Sequence, residues 1–327
     1  MSRLLTWDRS VFVLLVLTVA VGAVIDPTFA SGSNLGFVLQ DIGEIMLIAL
    51  PMTFLVMTGE IDLSVASTTA LSGCVLGWAW QSSGSMAVAV VAALGTGVVC
   101  GAVNGFLVTR LGLGSLAVTI GTLGLYRGLC YALLGDQTVA DFPAGWTDLG
   151  YSSIPGTPLP YVTPLLVVLA VVFGVVLHLT RTGRWVFAAG QSAEAARFAG
   201  IPAARLKFML FVVTGLVSGL AGIVYDLRVA SARPDGAIGF ELAVIASVLF
   251  GGVSIFGGVG TMWGVVSAVL FLGGVRSLLQ LQGVPSNALT IITGGLLLTS
   301  VVVPVAAERW NAFRERRSRT AAVAAAT

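Results

Sequence analysis

The chain has 327 residues, 57% of them hydrophobic and 10% charged, with a formal net charge of +2 and a mean hydropathy of +0.98. Soluble domains carry about 25% charged residues, so a water-soluble fold of this length is excluded for want of polar surface. The composition predicts an all-α, polytopic transmembrane helical bundle, because helices satisfy their own backbone groups in hydrocarbon.

A membrane-crossing helix needs about 20 apolar residues. The first such run, 9–25, follows Arg3 and Arg9 and has the outline of a signal peptide. Asp26-Pro27 and Phe29 make a poor small-residue cleavage site, so it reads as an uncleaved first span. Runs follow at 37–58, 63–81, 86–109, 113–134, 161–180, 208–229, 241–256, 259–279 and 287–306. That makes about ten spans, with both termini on the cytoplasmic side. Gly251-Gly252 and Gly257-Gly258 interrupt the pattern, so 241–279 reads either as two spans or as a broken helix.

Charge supports that topology. Thirteen of the 17 basic residues fall in the segments it places in the cytoplasm: Arg3, Arg9, Arg110, five within 181–207 and five in a basic tail, 308–327. The largest outer loop, about 135–160, holds Asp136, Asp141 and Asp148 and no basic residue, which is the positive-inside pattern. The expectation is one transmembrane domain over 1–320, with 181–207 as a cytoplasmic loop within it. Among the 41 glycines, Gly97 and Gly101, Gly215 and Gly219, and Ser218 and Gly222 stand at small-xxx-small spacing, which lets helices approach closely.

Several chemistries have no residues to carry them. The one lysine, Lys207, follows no Gly-x-x-x-x-Gly loop, so no P-loop can be built and no ATPase site is expected in this chain. The one histidine, His178, rules out an H-E-x-x-H site and reads as structural or interfacial, and no Gly-x-Ser-x-Gly elbow is present. Cys74, Cys100 and Cys130 sit in apolar runs as small fillers. No metal, cofactor or nucleic-acid partner is expected.

The segment 181–207 is too polar to span. Ser192 suits an N-cap with Glu194 near the positive helix end, Ala193–Ala199 a short helix, and Gly200 its C′ position. Pro202 suits the first turn of the next helix. On the residues alone, the short helix either docks into a partner or merely joins two spans.

Four stretches carry a family resemblance along 35–300. They are Gly59-Glu60-Ile61-Asp62-Leu63-Ser64-Val65, then Asn104-Gly105 with Thr119–Leu123 and Tyr126-Arg127-Gly128, then Gly183-Arg184 with Ala189-Gly190-Gln191 and Ala195–Ile201. The fourth comprises Gly239–Leu242 and Gly251–Gly260. In this order they resemble the ribose/xylose/rhamnose-type permeases of ATP-binding-cassette (ABC) importers, autoinducer-2 permeases included. Glu60 stands where that family usually has Gly, Ala66 where Gly is common, and Gln191 where Asn is frequent. The resemblance implies that Gly190, Glu194, Ala196, Arg197 and Gly200 sit at the contact with a cytoplasmic ABC ATPase subunit. It also implies an extracytoplasmic solute-binding protein and a second permease, identical or homologous, in the lipid bilayer. Tyr126–Gly128, Ser231–Asp235 and Gly283-Val284-Pro285 look closest to rhamnose and autoinducer-2 permeases.

Charges inside a bilayer face a cavity or a partner. Asp41 and Glu44 lie at i, i+3, hence on one helical face, and Arg127 is a cation able to pair with either; Asp62 opens the third span. Asn104, Thr119 and Thr122, with Thr53, Thr58, Ser64, Ser67 and Asn287, are hydroxyl and amide groups suited to a path for an uncharged, hydroxyl-rich solute, or equally to helix packing. Asp136, Asp141, Asp148, Arg233 and Asp235 offer outer charges to a binding protein. The competing functions are an ion-gradient-driven transporter, which Asp41 and Glu44 permit, and an intramembrane enzyme, which lacks its constellation.

Overall fold

The computed structural model describes residues 4–285, 288–289, 291–292 and 294–295, and its regular structure is helical. Helix α1 (Leu4–Ile25) ends at Asp26, whose carboxylate accepts from the Thr28 N–H and starts a 3-10 turn, Pro27–Ala30. Ser31 caps α2 (Gly32–Asp41), and α3 (Gly43–Met57) departs from α2 at 50°. The single straight span expected over 37–58 is therefore broken. The bend falls where Asp41, Gly43 and Glu44 interrupt the apolar run, and α13 packs on it through Gly273, where any side chain would overlap Ile42 Cγ2.

Helices α4 (Val65–Ser83), α5 (Met86–Thr109) and α6 (Ser115–Leu134) follow, with Gly84 closing α4 and Ser85 capping α5. A short α7 (Ala144–Tyr151) precedes α8 (Val162–Leu179). Next come α9 (Arg181–Gln191), α10 (Ala193–Phe198) and α11 (Ala203–Arg228), then α12 (Phe240–Phe250) and α13 (Met262–Leu281). Helix α11 is the centre of the bundle, packing on α5, α4 and α3. It does so through glycine: side chains at Gly97, Gly101 or Gly215 would run into the backbone of the facing helix, and one at Gly222 into the Thr69 carbonyl.

Helix ends gather at two poles. At one, Trp7 Nε1 donates to Phe250 O (3.0 Å), Thr261 Oγ1 to Asp8 (2.6 Å), the Met262 N–H to His178 Nε2 (3.2 Å) and the Gly258 N–H to Met57 O (2.8 Å). This pole carries α9 and α10 and is called the α10 pole below. At the other, Val139 bridges Ala232, Trp80 Nε1 donates to Asp141 O (3.0 Å) and Gln40 to Tyr151 O (2.6 Å).

Among the described residues six helices are long and apolar enough to cross a membrane: those within α1, α5, α6, α8, α11 and α13. The bent α2–α3 pair makes a seventh. Two of the expected ten differ for separate reasons, and a third is not described. Helix α4 has the length, 19 residues, but its serines, threonines and glycines dilute its apolarity. Helix α12 has only 11 residues, about 16 Å of rise, with irregular backbone on both sides of it: over 229–239 before it, and over 251–261 between it and α13, where Gly252, Gly257 and Gly258 take positive φ as the glycine pairs there predict. The run 287–306 and the basic tail lie largely outside the described residues, as do Arg3 and Asn287.

Candidate functional site

The polar stretch after α8 opens as helix, not loop. Thr180 caps α9, which buries Gly183, Val186 and Ala189 along one stripe. Ser192 then ends α9 and accepts from the Ala195 N–H (3.1 Å), starting α10 as the local pattern predicts. Gly200, at φ +74°, turns the chain, and Pro202 stands at the N-cap of α11. Of the five residues singled out here, Ala196 is buried at 2% exposure and Gly190 packs inward, while Glu194, Arg197 and Gly200 are exposed. Phe198 is 86% exposed at the tip. Gly190 lies so close to the Met57 carbonyl and the Gly258 amide that no side chain fits.

Met57 begins the next layer. Segment 57–64, which holds the Gly-Glu-Ile-Asp-Leu-Ser motif, is gripped from two sides. From the α10 pole, the Gly258 N–H and Gly190 bear on Met57, and Lys207 Nζ reaches Glu60 Oε1 at 2.5 Å with both side chains largely buried. From the bundle, Ser115 Oγ accepts from the Ile61 N–H (3.3 Å) and Thr119 Oγ1 donates to Ile61 O (3.3 Å). Asp62 is 2% exposed and accepts from the Ser64 N–H (2.9 Å) and hydroxyl (2.7 Å); Asn104 Nδ2 approaches its carboxylate at 3.4 Å and donates to Ser64 Oγ at 2.7 Å. Tyr126 hydroxyl completes the chain with Cys100 O and Asn104 Oδ1. Thr122 bonds back to Thr119 O (3.4 Å). Asp62, Asn104 and Thr119 thus form one buried network joining the motif to α5 and α6. Glu60, the departure from the family pattern, is matched by the chain's one lysine.

The intramembrane charges pair otherwise than their spacing suggests. Asp41 and Glu44 flank the bend at Ile42 and take different partners. Glu44, fully buried, binds Arg228 through Nε (2.7 Å) and Nη2 (3.5 Å), and that guanidinium also lies 5.5 Å over the Tyr225 ring. Asp41 faces Arg276, Nε to Oδ2 3.6 Å. Arg127, expected to pair with one of these carboxylates, instead donates to the carbonyls of Pro234 (2.5 Å) and Gly236 (2.8 Å) and anchors the irregular 229–239 segment. Two carbonyls of that irregular backbone thus find a protein donor. In that segment Arg233 and Asp235 pair with each other through two bonds of 3.0 Å. The hydroxyls of Thr53 and Ser67 bond back to their own helices.

Sequence reasoning missed Arg228, Arg276 and Asp226. Asp226 is buried on α11 against Gly73, and its Oδ2 has no hydrogen-bond partner. Each stands inside or at the end of an apolar run, and that intramembrane placement was the available signal. Among the described residues no three His, Cys, Asp or Glu side chains come together as a metal site requires, and the three cysteines are buried and unbridged.

Comparison with known proteins places these stretches in a wider set. Residues 34–301 match the family described as branched-chain amino acid transport system / permease component. The chain is 33% identical over 327 residues to the autoinducer 2 import system permease protein LsrD of Yersinia pseudotuberculosis serotype IB, covering 97% of this chain and 98% of the relative. It is likewise 33% identical over 302 residues to the LsrD of Photorhabdus laumondii, covering 90% of each. No solved structure matches it.

Proposed function

We propose, for a chain that belongs to the branched-chain amino acid transport system / permease component family, that it is the membrane-spanning permease subunit of an ABC importer for a monosaccharide or related small polyol. It is a multi-pass membrane protein. The autoinducer-2 import named for its relatives, and the likeness to rhamnose permeases, set the solute class. Hydrolysis of ATP is the work of a partner chain, since this one has no P-loop.

The observation that carries the reading is the α9–α10 turn. A capped helix is seated through Gly190 and Ala196 while Glu194, Arg197 and the apolar tip Phe198 project outward at a pole formed by helix ends. That is a docking surface for a cytoplasmic ATPase, with 181–207 as the coupling loop. An apolar ring at 86% exposure beside opposite charges suits a partner groove better than water. Segment 57–64 lies directly behind it, so a push on α10 reaches α5 and α6 through the Asp62–Asn104 network.

The pole-to-pole alternation of the described helix ends, counting α4 and the short α12, together with the apolar run 287–306 in the sequence, supports ten passes of a single domain over 1–320. On that count both termini and the basic tail are cytoplasmic. A solute-binding protein docks at the opposite pole, and a second permease copy or homologue supplies the second coupling turn that an ATPase pair needs.

The test is reconstitution in proteoliposomes with the ATPase and binding protein, comparing parent and Phe198→Asp. Loss of the ATP hydrolysis that loaded binding protein stimulates, with the folded permease retained, is the expected result. Uptake without the ATPase, driven by an ion gradient, replaces this reading with secondary transport.

A further inference from the structure

A cavity opens where the α2–α3 bend faces α12 and α13, walled by Asp41, Ile45, Ser247, Arg276 and Leu279 among others. The sequence builds it. Helix α2 stops at Asp41, the chain turns by 50° at Ile42, and Gly273 lets α13 close on the turn without filling it. Two ion pairs flank the bend and they differ in kind. Glu44 is shut away at 0% exposure and held by two bonds to Arg228. Asp41 and Arg276 stand 3.6 Å apart, beyond hydrogen-bond reach, with side chains 24% and 46% exposed. A half-exposed guanidinium within an apolar membrane-crossing helix does not face hydrocarbon; it faces water, a solute or polypeptide.

We propose that this cavity is a solute station on the translocation path, where Asp41 and Arg276 together hold a neutral, polyhydroxylated solute. The inference rests on the transport reading above and adds residues and a ligand chemistry to it. A carboxylate only accepts and a guanidinium only donates, whereas adjacent hydroxyls do both. One hydroxyl therefore gives its proton to Asp41 while its neighbour accepts from Arg276. The opposite charges cancel at a distance, so the station favours no net-charged solute. Ser247, whose proton goes to Ala243 O at 2.8 Å, keeps its oxygen lone pairs for a third contact. Ile45 and Leu279 offer apolar surface to the C–H faces of a sugar ring. The pair is loose enough for a hydroxyl to enter between its members, so the solute is released as readily as it is taken up.

The test replaces Cys74, Cys100 and Cys130 by alanine and adds one cysteine: Ala243→Cys on the cavity wall, or Val167→Cys, 57% exposed on the outer face of α8, as control. Reconstituted complexes are exposed to a membrane-impermeant anionic methanethiosulfonate. Ala243→Cys is expected to react, more slowly in the presence of L-rhamnose or autoinducer-2, while Val167→Cys stays unmodified. Asp41→Asn and Arg276→Gln are each expected to raise the KM for uptake of the same compounds by about ten- to a hundredfold, the loss of one charge-assisted hydrogen bond. An unreactive Ala243→Cys, or KM values within about twofold of the parent, overturns the assignment. Uptake that needs no ATPase overturns the importer reading instead and leaves the labelling result standing.

Discussion

Glu44 and Arg228 illustrate what a buried charge demands of its partner. Glu44 is inaccessible and Arg228 largely covered, so removing one member leaves a charge in a dry bundle at a cost of about 3–5 kcal/mol, while removing both leaves nothing uncompensated. Arg228→Met is therefore expected to unfold at a clearly lower temperature in detergent, and the Glu44→Met/Arg228→Met double variant to recover most of the loss. A double variant as unstable as the sum of the singles contradicts this account. The sequence marks such residues but not their partners. Asp41, Glu44, Asp62 and Arg127 stand out because charge is rare inside apolar runs, yet Glu44 meets a residue 184 positions away and Arg127 meets carbonyls over 100 positions away. The i, i+3 rule speaks only for neighbours on one unbroken helix, and the bend at Ile42 removes its premise.

Among the elements, the two glycines of the α9–α10 turn are needed for different reasons. Gly190 is needed for space, since a methyl there overlaps Met57 O and the Gly258 amide. Gly200 is needed for its backbone alone, at φ +74° with nothing near its Cα. Gly200→Ala is expected to cost about 1 kcal/mol and leave the ATPase contact formed. Gly190→Ala is expected to unseat α9 and abolish stimulated hydrolysis. Equal effects in the reconstituted assay contradict the distinction. This turn was legible because its punctuation is local: the Ser192 cap, the Gly200 stop and Pro202 all act within a few residues. The α2–α3 break was not: Asp41, Gly43 and Glu44 mark its place in the apolar run, but the packing of Ile42 on Gly273, far along the chain, leaves no local trace. Helix α9 was hidden by polarity that rules out a span but not an interfacial helix.

For the molecule as a whole, the proposed topology puts 135–160 and 181–207 on opposite sides of a membrane. In a chain whose three cysteines are replaced, Thr157→Cys is expected to react with an impermeant maleimide from outside intact cells and Ala195→Cys only in inverted vesicles. Reaction of both from one side refutes the alternation. Composition alone announces such a bundle, and the bias of the basic residues is what the proposed orientation rests on. The count of passes is less legible, because α4 is rich in Ser and Thr and α12 has only 11 residues. One more property of the whole chain follows from the contact between Lys207 and Glu60. Lys207 is the one lysine in 327 residues, so an amine-acylating reagent finds a single side chain to modify, and that amine is occupied whenever segment 57–64 is fastened to α11. The protein thereby carries an intrinsic reporter, acylated at a rate that measures how often this fastening opens during turnover.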